Sequence, residues 1–95
     1  MTTNQVFESV WDALEGSPAE AANMKLRSEL MIALGEAVAA WSVTQVEAAR
    51  RLDVTQPRLN DLLRGRISKF SLDALVSLAA RAGLGLRIEI IRPAA

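Results

Sequence analysis

The chain has 95 residues, 51% of them apolar, and its 11 basic residues are balanced by 11 acidic ones with no cysteine and no histidine. A chain of this length forms one small domain whose core gains from association with a second copy. The missing thiols and imidazoles exclude disulfides, the usual soft metal sites and cysteine- or histidine-based catalysis, so neither a cofactor nor an enzymatic activity is expected.

Residues 6–14 place Val6, Phe7, Val10, Trp11 and Leu14 at helical spacing, with Glu8, Asp12 and Glu15 on the other side. This predicts a short amino-terminal helix or arm over residues 1–16, closed by Gly16. Glu8 and Asp12 interrupt its apolar residues and no apolar run of about 18 residues exists anywhere, so neither a signal peptide nor a membrane span is expected, and the chain should stay in the cytoplasm. Ser17-Pro18-Ala19-Glu20 reads as a capping box with proline in the first helical position. It opens a long helix in which Leu26, Leu30, Ala33, Leu34, Ala37, Val38 and Trp41 recur at three and four, with Met24 and Met31 as gap fillers and Gly35 as a soft point. With no strong breaker before Trp41-Ser42, it runs for about 35 Å at 1.5 Å per residue.

Two short helical patterns follow within residues 44–65, separated by a break too tight for anything but a helix-turn-helix. Thr44 with Glu47 reads as another capping box, and Val46, Ala48, Ala49 and Leu52 form an apolar side whose alanines allow close approach. Asp53 tolerates the left-handed backbone a helix end requires. Thr55 caps the second helix and Pro57 lies in its first turn. Leu59, Leu62 and Leu63 face the core, which turns Gln56, Arg58, Asn60 and Asp61 elsewhere, and Gly65 ends the helix. Arg50 and Arg51 are read as a solvated helix face. Ser71 caps one more helix, with Leu72, Leu75, Val76 and Ala79 inward and Gly83 at its end.

Residues 84–91 change period. Leu86, Ile88 and Ile90 alternate with Arg87 and Glu89, which predicts a strand. No other segment alternates in this way, so the economical partner is the same strand of a second copy, antiparallel about a two-fold axis. Centring the pairing on Ile88 would set Arg87 against the partner's Glu89 and Leu86 against the partner's Ile90. Residues 84–95 are therefore expected to be the dimerisation strand and tail, and residues 17–83 the helix-turn-helix domain.

The charge is unevenly placed. Residues 44–70 hold six basic residues against three acidic ones, a net +3, whereas residues 1–43 hold two against six, a net −4. A basic helix-turn-helix points to double-stranded DNA, with its second helix, residues 56–64, in the major groove. Gln56 suits adenine, Arg58 guanine, and Asn60 adenine or a nearby phosphate. Gln45, helped by the helix dipole, together with Thr55, Arg64, Arg66 and Lys69, is expected to hold phosphates. Such a protein would be associated with the nucleoid.

At these residues the sequence resembles a known family. The run Val54-Thr55-Gln56-Pro57-Arg58-Leu59-Asn60-Asp61-Leu62-Leu63-Arg64-Gly65, with Phe70-Ser71-Leu72-Asp73-Ala74-Leu75, resembles HigA-type antitoxins of the repressor/Cro-like (XRE) helix-turn-helix family. The similarity spans about residues 19–91, and the family's usual turn glycine is Asp53 here. Together these readings give an all-α, repressor-like domain of five helices, with a short carboxy-terminal β-strand for dimerisation, working as a homodimer on operator DNA. The resemblance also implies a small RelE/HigB-like toxin as a partner, with repression of the pair's own operon. The alternative is a stand-alone regulator with no toxin, in which the amino-terminal helix only packs on the core or the dimer.

Overall fold

The ends of each helix are written in its capping residues. The computed structural model describes residues 17–94, so the helix expected over residues 6–14 lies outside the described residues. Helix α1, Pro18–Trp41, starts where the Ser17 hydroxyl accepts from the Glu20 amide at 3.3 Å, and it passes Gly35 unbroken until Ser42 turns left-handed at φ 53°. Helix α2, Gln45–Leu52, and helix α3, Gln56–Leu63, are joined through Asp53, Val54 and Thr55. A 3₁₀ turn, Ile67–Lys69, leads into helix α4, Leu72–Arg81.

Three helix ends share one device. After α2, Asp53 (φ 55°) allows the Val54 amide to reach the Ala49 carbonyl and its own amide to reach Arg50. After α3, Gly65 (φ 71°) does the same for Arg66 to Asp61 and for its own amide to Leu62; after α4, Gly83 (φ 80°) does it for Leu84 to Ala79. These are Schellman ends, and Val54 and Leu84, the residues that follow, pack on the core as that motif favours.

Leu34, Leu52, Leu59, Leu75, Phe70 and Ala79 are at most 1% exposed and form the centre of the core. Helix α1 lies along α4 and also covers α3 and the 3₁₀ turn, while α2 packs on α3 and α4. Several residues expected inside are not. Leu26, Leu63 and Val76 are exposed by 37–41%, and Val46 by 61%. An eight-residue helix buries one stripe; Ala48, Ala49 and Leu52 occupy it, and Val46 falls roughly 120° from Leu52 at 100° per residue.

The expected five-helix domain with a carboxy-terminal strand needs correction. Among the described residues there are four α-helices and no strand, and residues 84–94 have no regular structure. Leu84 still reaches the core, but Ile88, Ile90 and Ile91 are 77–84% exposed. Alternation marks which side chains share a side of an extended segment; a strand also needs a neighbouring backbone to accept its amides, and among the described residues none is paired with this segment.

Candidate nucleic-acid interface

Helix α3 has two sides. Leu59 and Leu62 are buried, and Gln56, Asn60 and the C-cap Arg64, at successive spacings of four, form one stripe that starts about 60° from Leu59 and moves about 40° per step toward the side away from both leucines. Gln56 and Arg64 are exposed and Asn60 is half-buried. The stripe begins at Thr55, whose hydroxyl accepts from the Arg58 amide at 3.2 Å and keeps its own proton to donate. Gln45 stands exposed at the start of α2 beside its cap, Thr44, whose hydroxyl accepts from the Glu47 amide at 3.1 Å. The N-termini of α2 and α3 each leave first-turn amides without an intrahelical partner, the feature that suits a helix start to an anion.

The cations around this stripe are not equally free. Arg66 Nε and Lys69 Nζ lie 3.5 and 3.8 Å from the two carboxylate oxygens of Asp61, which gathers them next to α3. Arg64 takes part in no ion pair among the described residues. On α2 the Glu47 carboxylate does not turn back to its cap, as a full capping box would have it. It accepts from Arg50 at 2.9 and 2.6 Å and from Arg51 at 3.0 Å instead. Those hydrogen bonds, Arg50's first, hold the Glu47 pKa at about 2, and the same contact raises that of Arg50. The Arg51 guanidinium also lies 5.2 Å from the Trp41 ring centre, joining α2 to the end of α1. Arg50 and Arg51 are therefore bound on the surface of α2, in keeping with a solvated helix face.

Arg58 stands apart from Gln56 and Asn60. At 100° per residue it projects about 160° away from both. Its guanidinium lies 3.9 Å from the centre of the Phe70 ring, and its Nη1 donates to the Lys69 carbonyl at 2.6 Å.

Two arginines that sequence reasoning left without a role complete the frame. Arg27 on α1 donates from Nη1 to the carbonyls of Ile67 and Phe70, at 3.1 and 3.2 Å, and so fixes the 3₁₀ turn from behind. Arg81 on α4 donates to the Leu52 carbonyl at 3.3 Å, at the end of α2 where the helix itself offers no partner. The signal for Arg27 was present: it precedes Met31 by four and Leu34 by seven, on the buried stripe of α1, where an arginine needs acceptors.

Residues 86–90 lie on another side of the molecule. Leu86, Arg87 and Ile88 line an apolar groove with Leu26 and Leu30 of α1 and Val76 of α4, and Glu89 and Ile90 continue past it, exposed. No helix among the described residues is long and apolar enough to cross a membrane.

A helix-turn-helix domain family matches residues 13–91 of the chain. Among solved structures, a chain bearing the name "Putative XRE Family Transcriptional Regulator" is 24% identical and superimposes with a TM-score of 0.71, over 78% of this chain and 83% of its own. That likeness is one of fold. No curated protein matches the chain.

Proposed function

The chain belongs to the helix-turn-helix domain family, a family of DNA-binding regulators, and from that premise we propose that it is a sequence-specific repressor that binds operator DNA as a homodimer. The observation that carries this reading is the polar stripe of α3: Gln56, Asn60 and Arg64 follow one another along one side of the helix, with the capped N-terminus of α3 at one end and Arg66 and Lys69 held alongside by Asp61. A helix so dressed fits the major groove. Gln56 and Asn60 carry paired donors and acceptors suited to adenine. Gln45, Thr55, Arg64, Arg66 and Lys69 hold phosphates and set register. Dimerisation falls to Leu86, Ile88 and Ile90 with Arg87 and Glu89, because this stretch leaves large apolar side chains in water that a second copy would cover.

Within that function the chain acts as the antitoxin of a type II pair. Two features support this: the resemblance of residues 54–65 and 70–75 to HigA-type antitoxins, and the net −4 of residues 1–43, which complements a basic RelE/HigB-like ribonuclease.

The preferred duplex is selected from a random library and titrated with the wild type, N60A and R64A at several salt concentrations. N60A is expected to lose about 1–3 kcal/mol on that duplex and to relax preference at one base pair per half-site. R64A should weaken all sequences alike and lower the salt slope by about one. If the library yields no preferred duplex, the repressor function is refuted. Co-expression with the neighbouring open reading frame tests the toxin: a small basic protein should co-purify, and a gene with no such neighbour leaves a stand-alone regulator.

A further inference from the structure

The segment from Ile67 to Phe70 is gripped from two sides by arginines. Arg27, from α1, donates to the carbonyls of Ile67 and Phe70. Arg58, from the first turn of α3, donates to the intervening Lys69 carbonyl and sits over the ring of Phe70, a residue that is 1% exposed, 3.9 Å from the ring centre. Three of the turn's four carbonyls are thus taken by guanidinium groups: Lys69 and Phe70, which lie past the last amide of the turn, and Ile67, which also accepts the Phe70 amide at 3.2 Å.

We propose that Arg58 is a positioning residue rather than a base reader: its guanidinium ties the 3₁₀ turn to the recognition helix, so that Lys69 and Arg66 stand at a fixed distance from Gln56 and Asn60. Its projection away from the polar stripe supports this, because reaching a base edge beside Gln56 would require it to leave both the ring and the carbonyl. Leaving would cost twice. The Lys69 carbonyl would lose its short charged donor, and the face of an otherwise buried ring would open to water. The planar fork suits both contacts at once, which an ammonium does not. The role of Lys69 and Arg66 as phosphate contacts rests on the function proposed above; the clamp itself does not.

The test uses the full chain, with wild type, R58A and R58K compared in two measurements. In the free protein, amide hydrogen exchange at Ile67–Phe70 should be about tenfold or more faster in both variants, with the amides of α1 and α4 unchanged. On DNA, both variants should weaken operator and scrambled duplex by the same factor, with a salt slope lower by about one and the base preferences of the operator intact. R58K is the decisive arm, since a direct phosphate contact would survive it. The proposal is overturned if R58A leaves the exchange of the turn unchanged, if operator affinity alone falls with one base pair relaxed, or if R58K binds DNA as the wild type does. Should the wild type bind no duplex in a salt-dependent way, the DNA-binding function fails while the exchange data still decide the clamp.

Discussion

Arg27→Met isolates the inner half of the arginine clamp. The substitution keeps an unbranched stem on α1 and removes the guanidinium that serves the Ile67 and Phe70 carbonyls at 3.1 and 3.2 Å. A hydrogen bond from a charged donor contributes about 1.5–3 kcal/mol, so two amount to about 3–6. Against this stands Arg27 Nε, which is buried with no hydrogen-bond partner among the described residues; deleting an orphaned donor returns about 1–3 kcal/mol. The net loss is about 2–3 kcal/mol, from a total of about 5–14 for a chain of this length. Urea unfolding followed by circular dichroism should show the midpoint falling by about 2 M at an m of about 1–1.5 kcal/mol/M, with m itself unchanged. The thermal midpoint should drop by about 10–20 °C. A loss below about 0.5 kcal/mol would refute the reasoning, because water or a relaxed turn would then satisfy the two carbonyls as well as Arg27 does.

Asp53→Gly should stabilise the protein by about 0.5–1 kcal/mol, since a left-handed backbone at φ 55° strains any residue with a Cβ and the flanking amides already form the Schellman end; equal or lower stability in thermal unfolding would count against it. Glu47 supplies a pH dependence with a definite sign. Its folded pKa, about 2, lies below the ordinary 4.5, so its contribution is complete above 4.5 and is lost as pH falls from there toward about 2. Urea midpoints measured across that window should fall less steeply for E47Q than for the wild type, and parallel acid limbs would place the ion pairs with Arg50 and Arg51 outside the stability of the fold.

Residues 17–83 are legible in the sequence because local rules decide them. Ser17, Thr44, Thr55 and Ser71 each cap the helix that follows, Asp53, Gly65 and Gly83 each take the left-handed turn that ends one, and Leu34, Leu52, Leu59 and Leu75 fall on the buried stripes their spacing assigns. These features depend on neighbours within about four residues, which the chain order contains. Leu84 to Ile91 shows where such rules stop. Its alternation is genuine, but a strand is a relation between two backbones, and among the described residues no second backbone pairs with it. Arg58 makes the same point for side chains. Its residue type suits guanine, while the contacts it makes within the fold, with Phe70 and the Lys69 carbonyl, lie 12 and 11 positions further along. Arg27, bonded to carbonyls 40 and 43 residues away, depends on the packing of α1 across the 3₁₀ turn. The sequence by itself determined the helices, their ends and the polar stripe of α3; the tertiary structure decided which cations stay free to meet a partner, because a guanidinium goes to whichever acceptors the fold brings within reach, however far apart they lie along the chain.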